Sequence, residues 1–160
     1  MGRCFTRREG REGQEGRKAG RHEGPGRFGH VDCLPRFVPL RHHSLVAWQR
    51  ADDLYIELHE LTRKSFPAYE RYELGSQLRR SAFSTAVNIV EGCAREHRAE
   101  RLQFLNVSRA SLAEVGYCLH VAHRLGYVDR KQLETFEVSL NQVGAALSGF
   151  IRSIRDGRSV

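Results

Sequence analysis

From Ser44 onward, apolar residues recur every three or four positions, which is the spacing of one face of an α-helix. The first segment carries such residues at successive spacings of 4, 3, 4 and 3. Ser44 is its predicted N-cap, and Pro67 ends it because proline has no amide hydrogen for the helical ladder. The residues on this face are Ala47, Ala51, Leu54, Leu58 and Leu61.

Three further segments show the same periodicity. The second begins near Tyr69–Tyr72 and runs to about Glu91, where Gly92 is a candidate stop signal. The third spans roughly Ala99–Leu125, and the fourth follows the predicted N-cap Asp129. One face of the second segment consists of Leu74, Leu78, Ala82, Ala86 and Ile89. The corresponding face of the third consists of Leu105, Ser108, Leu112, Val115, Leu119 and Ala122. That of the fourth consists of Leu133, Phe136, Leu140, Val143, Leu147, Phe150 and Ile154.

Signals for β-strands are absent from the sequence. Four amphipathic helices joined by short turns predict an all-α fold, an antiparallel up-down four-helix bundle over residues 44–156. The second and third helices each carry an additional apolar stripe, which either widens the core-facing surface or is buried between the subunits of an oligomer. These additional stripes consist of Phe83, Val87 and Val90, and of Phe104, Val107, Ser111, Cys118, Val121 and Leu125.

Residues 1–40 have a different character. They contain eight of the 15 glycines and three of the 4 prolines, without apolar periodicity. Such a segment cannot bury enough apolar surface to offset its conformational entropy, so a disordered Gly/Arg-rich tail is predicted. The alternative is a translation start further along the chain, at a non-Met codon such as that of Val31 or Val38.

The chain has a formal net charge of +7, which favours anionic partners such as nucleic acid or a membrane surface. Residues 1–40 contain nine Lys/Arg and five Asp/Glu, whereas residues 41–160 contain 17 and 14, so the tail holds more than half of the excess. No apolar run approaches the roughly 20 residues of a membrane span, and no signal peptide is evident. The cysteines are irregularly spaced, which indicates reduced thiols. A cytoplasmic protein without a membrane partner is therefore predicted.

The residues show no pattern typical of an enzyme or a metal site. His120 and His123 lie three apart, but no glutamate is followed by histidine three residues later, as a di-iron bundle requires. Cys93 lies near arginines that would lower a thiol pKa, yet it has no recognisable base, and Cys118 falls on an apolar stripe. Both cysteines are interpreted as structural. We predict no enzymatic activity, cofactor, metal or small-molecule substrate.

One candidate set is polar and lies on the second and third helices. A carboxylate on the second stripe, at Glu114, needs a cation or amide partner, and Arg79, Arg80 and Asn88 are available on the second helix. The favoured interpretation is an interhelix network that fixes the register, and the alternative is a binding site built from the same groups. The predicted network consists of Asn88, Glu91, Ser111 and Glu114.

The other candidate set is basic, and most of it falls where the second and third helices meet. Repeated in an oligomer, such a cluster makes a ring of positive charge that favours phosphate backbones without sequence specificity. The alternative is a solvated surface, since Glu91, Glu96 and Glu100 partly cancel the charge. The candidate nucleic-acid-binding residues are Arg79, Arg80, Arg95, Arg98 and Arg101.

Several short motifs resemble the bacterial four-helix-bundle family named after proteins encoded in intervening sequences of 23S rRNA genes. They include Phe66-Pro67, "QLRR" at 77–80, "NIVEG" at 88–92 and "LGY" at 125–127, and the resemblance covers about residues 45–154. It implies a small cytosolic bundle that assembles as a ring-like pentamer and is not an enzyme, with nucleic-acid association as the usual suggestion.

The leading functional hypothesis is therefore a non-enzymatic homo-oligomer that binds RNA or a ribonucleoprotein through a basic rim. The competing hypothesis is a scaffold or accessory subunit that binds another protein through exposed apolar stripes.

Overall fold

The computed structural model describes residues 41–157. Within this range a 3-10 turn, Arg41–Ser44, precedes four α-helices and no strand is present. The helices are α1 (Val46–Ser65), α2 (Leu74–Ala94), α3 (Arg98–Arg124) and α4 (Arg130–Arg155). The prediction of an all-α, four-helix fold is confirmed. The predicted disordered tail, residues 1–40, lies outside the described residues.

Side-chain contacts show how the helices are arranged. Ser108 on α3 donates to the Thr85 carbonyl on α2, whereas Glu114, further along α3, accepts from Gln77, which lies earlier on α2. The two helices are therefore antiparallel, and the other sequential pairs show the same reversal. Each helix packs only on its two neighbours, in the closed order α1–α2–α3–α4. For α1 and α2 the reversal is shown by the contacts Thr62–Arg79 and Tyr55–Phe83, and for α3 and α4 by Leu112–Gly144 and Gly116–Leu140.

The predicted faces supply the core. All five residues of the α1 face and all six of the α3 face are buried, including Leu58, Leu105 and Leu119 at 0% exposure. Burying a leucine side chain contributes about 1.5–3 kcal/mol. In α4, Ile151 joins the predicted stripe among the buried residues, while Leu133 and Leu140 at its edge are only half-buried.

The ends of α1 and α2 differ from the predictions. Ser44 closes the 3-10 turn and Leu45 occupies the N-cap of α1, without a side-chain capping bond. Helix α2 begins at Leu74 and not at Tyr69–Tyr72, because Pro67 starts a series of turns that ends when the Gly75 amide donates to the Glu70 carbonyl at 2.8 Å.

Gly92 does not stop α2, and that prediction is wrong. Helix α2 continues to Ala94, and Gly92 is buried within it. A Cβ atom at Gly92 would lie 3.4 Å from the Arg101 carbonyl oxygen and 3.4 Å from Phe104 Cβ. The glycine therefore permits the close approach of α3, and no left-handed backbone is involved.

The turn between α3 and α4 follows the predicted signals. Gly126 has a φ of 78°, its amide donates to the His123 carbonyl, and the Tyr127 amide donates to the Ala122 carbonyl. This pair of bonds is a Schellman motif, which satisfies carbonyls at the end of α3. Asp129 then caps α4 in a reciprocal capping box with Gln132.

Candidate nucleic-acid interface

The interface between α2 and α3 is a seam of small polar side chains. The Ser84 hydroxyl lies 2.9 Å from the Ser111 hydroxyl, and the Asn88 amide donates to the Ser84 carbonyl and hydroxyl at 2.7 and 3.1 Å. Ser108, which is fully buried, donates to the Thr85 carbonyl at 2.7 Å. These bonds satisfy polar groups that would otherwise be costly to bury at the close approach of the two helices.

The structure brings together only part of the predicted polar network. Asn88 and Ser111 are both buried and meet through Ser84. Glu114 is exposed and accepts from the Gln77 amide at 3.0 Å, so its partner is none of the three residues expected on α2. Gln77 shares the face of α2 that is turned toward α3 with Ser84, seven residues further on, whereas Arg79 donates to Thr62 on α1 and Asn88 lies about three turns further along α2. Glu91 is exposed and has no hydrogen-bond partner within residues 41–157.

The additional apolar stripes are divided between core and surface. Ser111 and Cys118 are buried, whereas Phe83, Val107 and Leu125 are exposed by 53%, 45% and 52% of their surface. A wide core face therefore accounts for only part of the stripes.

The two described cysteines have the character of structural residues. Burial raises the pKa of the Cys93 thiol; the nearby Arg101 acts in the expected direction and lowers it, but the effect of burial is larger. Burial and the neighbouring Glu114 carboxylate raise the pKa of the Cys118 thiol. Both thiols are therefore poor nucleophiles near neutral pH.

The histidines of α3 are not arranged around a common ligand position. His123 Nδ1 lies 2.8 Å from the Val128 carbonyl oxygen, and His120 is exposed. Across residues 41–157, no group of three or more His, Cys, Asp or Glu side chains is placed to hold a metal ion.

Arg79 and Arg80 lie on α2, far from the other basic candidates. The Arg79 guanidinium donates to the Thr62 hydroxyl at 2.9 Å and to the Arg71 carbonyl at 2.8 Å, so it joins α1, α2 and the turn between them. Arg80 is exposed. At a rise of about 1.5 Å per residue, Arg80 lies roughly 20 Å along the axis from Ala94, where α2 ends. The predicted basic set is therefore split into two parts.

The remaining candidates lie at the α2–α3 turn, each in a different role. Arg95 is exposed and its guanidinium lies 4.6 Å from the centroid of the Phe104 ring, a cation–π contact. Arg101 is half-buried and donates to the Arg95 carbonyl at 3.0 Å, which satisfies an acceptor at the end of α2. Arg98 begins α3 and donates to the backbone carbonyl of Arg155, at the end of α4.

The Arg98–Arg155 bond reveals basic residues that the sequence reasoning missed. Arg152 and Arg155 occupy the last turn of α4, and both are exposed. The antiparallel order places that turn beside the start of α3, so two separate parts of the sequence share one end of the bundle. We call this the basic end; it consists of Arg95, Arg98, Arg101, Arg152 and Arg155. The signal that could have found the last two was the predicted topology.

Acidic residues reduce the charge of the basic end without cancelling it. Glu96 and Glu100 are exposed on the same turn, and Asp156 follows Arg155. The basic end therefore contains five arginines and three carboxylates.

None of the four described helices combines the length and the apolar character that crossing a membrane requires.

These features define the class of the protein as an antiparallel four-helix bundle with a polar α2–α3 seam and arginines at one end. The family model for the 23S rRNA-intervening sequence protein matches residues 43–149, and the chain belongs to that family. The family predicted from the sequence motifs is thus confirmed.

The fold is similar to that of a solved structure. It is the crystal structure of a protein with unknown function from the S23 ribosomal protein family of Bacteroides thetaiotaomicron, with a TM-score of 0.63 and 21% sequence identity. The similarity covers 67% of this chain and 96% of that one. No curated protein matches the sequence.

Proposed function

We propose that this protein is a non-enzymatic RNA-binding bundle and that its basic end contacts the phosphate backbone. The observation that carries the proposal is the bond from the Arg98 guanidinium to the Arg155 carbonyl, which joins the arginines of the α2–α3 turn to those of α4. Guanidinium groups bind phosphate through paired N–H donors, so a set of them from two helices suits a polyanion.

The first residues of the described range also lie at the basic end. The start of α1 lies at the end of the bundle where α2 finishes, because the two helices are antiparallel. Residues 1–40, which precede them in the sequence, contain nine Lys/Arg and five Asp/Glu. The excess of basic over acidic residues predicts RNA binding that is dominated by phosphate contacts and counterion release, with little base specificity.

Fluorescence anisotropy with a labelled, unstructured RNA tests the proposal at two salt concentrations. The logarithm of the association constant should fall with the logarithm of salt by about 0.7 for each phosphate that is neutralised. The double variant R95Q/R98Q should bind more weakly than R63Q/R124Q, which removes the same charge at the opposite end of the bundle. RNA binding that does not depend on the salt concentration, or the absence of binding by the unaltered protein, would contradict the proposal.

Self-association is a second candidate, and the exposed apolar side chains favour it. Ile56, Phe83 and Tyr117 are exposed by 55%, 53% and 67%, and self-association would remove such apolar surface from water. A homo-oligomer, with the pentamer that the family resemblance implies, would cover part of them. Light scattering should then give a molar mass that is a multiple of the 18.3 kDa of one chain, and the Phe83→Ser variant should have a lower molar mass.

The same apolar residues are available to a different protein partner. If light scattering finds a monomer, the scaffold hypothesis replaces self-association, and the partner should remain bound after nuclease treatment. A monomer that binds no RNA would favour this alternative over both proposals above.

A further inference from the structure

A groove between α3 and α4 collects three arginines. Its volume is about 210 Å³. We call it the α3–α4 groove; it is lined by Arg109, Ser148, Ile151, Arg152, Arg155 and Asp156.

The helical repeat explains how these side chains meet. Ser148, Arg152 and Arg155 are four and three residues apart, which places them on one face of α4. Arg109 faces them from α3 because the two helices run in opposite directions. Nothing in the linear sequence joins Arg109 to the other two arginines, so this cluster exists only in the fold.

The charges in the groove are unbalanced. Within residues 41–157, Arg109, Arg152 and Arg155 form no ion pair, and Asp156 is the only acidic residue that lines the groove. Arg152 and Arg155 have a structural explanation, since cations in the last turn of a helix complement its dipole. Arg109 has none, because it lies well inside α3, away from either end.

The α3–α4 groove continues into a neighbouring one. The second groove has a volume of about 480 Å³ and shares Arg109 and Ser148 with the first. Beyond them it is lined mainly by small or apolar residues, among them Ala113, Gly116 and Gly144. Two connected grooves provide a path for an extended chain, whereas a single small anion would fill only one of them.

We propose that the α3–α4 groove is a phosphate-binding site and that its ligand is the backbone of single-stranded RNA. Arg109, Arg152 and Arg155 supply paired N–H donors for phosphate oxygens, and the Ser148 hydroxyl supplies one further donor. This inference rests on the proposed function and assigns the main phosphate contact to α3 and α4, not to the α2–α3 turn.

Anisotropy of the full-length protein with a fluorescein-labelled oligouridylate provides the first test. The triple variant R109Q/R152Q/R155Q should bind at least tenfold more weakly at 50 mM salt, and its salt slope should be smaller by about 2. The control is R63Q/R124Q/R130Q, which removes the same charge at the opposite end of the bundle and should change affinity by less than threefold. Equal losses in the two triple variants would reduce the effect to net charge and overturn the site.

Titration with inorganic pyrophosphate, followed by amide NMR shifts, separates this inference from the proposed function. Shifts concentrated at Arg109, Ser148 and Arg152, in a protein that fails to bind RNA, would keep the phosphate site and reject RNA as its source. RNA binding that R95Q/R98Q abolishes and the groove variant leaves unchanged would overturn the groove alone. If neither ligand binds, both proposals are wrong.

Discussion

Gly92 provides the most direct test of how closely α2 and α3 pack. We predict that Gly92→Ala stabilises the protein, because alanine exceeds glycine in helix propensity by about 0.8–1 kcal/mol. The new methyl carbon would meet the Arg101 carbonyl oxygen and Phe104 Cβ at 3.4 Å and a Leu105 methyl at 3.5 Å. These separations are ordinary but close van der Waals contacts, so the free energy of unfolding should rise by about 0.5–1 kcal/mol.

A larger side chain at Gly92 should reverse the sign of the effect. Gly92→Leu has no free space for its additional carbons, because the Arg101 carbonyl is part of the backbone of α3 and can move only with the helix. Overpacking of this kind costs about 1–3 kcal/mol. The expected order of stability is therefore Ala, then Gly, then Leu.

Urea unfolding followed by far-UV circular dichroism gives the free energies. Gly149→Ala is the matched control, since it lies in a helix and a Cβ there would have no neighbour within 4 Å. The difference between the two alanine variants isolates the contact with α3 from helix propensity. All variants are compared at one protein concentration, because self-association would also change stability. A loss of more than about 1 kcal/mol in Gly92→Ala would refute the described separation of α2 and α3.

Three further predictions concern the opposite end of the bundle. Gly75→Ala should destabilise the protein by about 1–3 kcal/mol in urea unfolding, because its Cβ would lie 3.0 Å from the Glu70 carbonyl oxygen; stability equal to that of Gly92→Ala would contradict this. Arg79→Met should cost about 1–2 kcal/mol, while Arg80→Met should change stability by less than about 0.5 kcal/mol, since only Arg79 donates to Thr62 and Arg71. The loss of stability in Arg79→Met is limited because the Thr62 hydroxyl keeps its bond to the His59 carbonyl. Finally, a hydrogen bond with Tyr69, burial and the Glu70 carboxylate raise the pKa of Tyr127 to about 12. The phenol therefore stabilises the fold fully below pH 10 and loses this contribution between pH 10 and about 12, so thermal melts of Tyr127→Phe and the unaltered protein should converge across that window.

The periodicity of apolar residues in the sequence was sufficient to predict those features of the fold that depend on a single helix. The α1 and α3 faces are buried as predicted, and Gly126 and Asp129 end and begin helices as expected. These features follow from local backbone chemistry and from one apolar face. Gly92 was misassigned because a glycine that admits a neighbouring helix looks, in sequence, like a glycine that ends its own helix.

The candidate site depended on distances between helices, which the sequence does not contain. Glu114 pairs with Gln77 because Gln77 lies on the face of α2 that is turned toward α3, whereas Arg79 is bound to Thr62 on α1. Arg109 and Arg152 meet only because α3 and α4 are antiparallel neighbours. The basic residues of the α2–α3 turn were found because they are close in sequence.

The closed order of the helices has a consequence for how the chain folds. Three of the four helix pairs join sequence neighbours, and only the α1–α4 pair closes the ring, as in the bond from Arg50 to the Gln142 carbonyl. Most native contacts are therefore local, and bundles of low contact order fold in microseconds to milliseconds. The docking of α1 on α4 carries the largest loop-closure entropy, so we expect substitutions at that pair to change the folding rate differently from those in the α2–α3 seam.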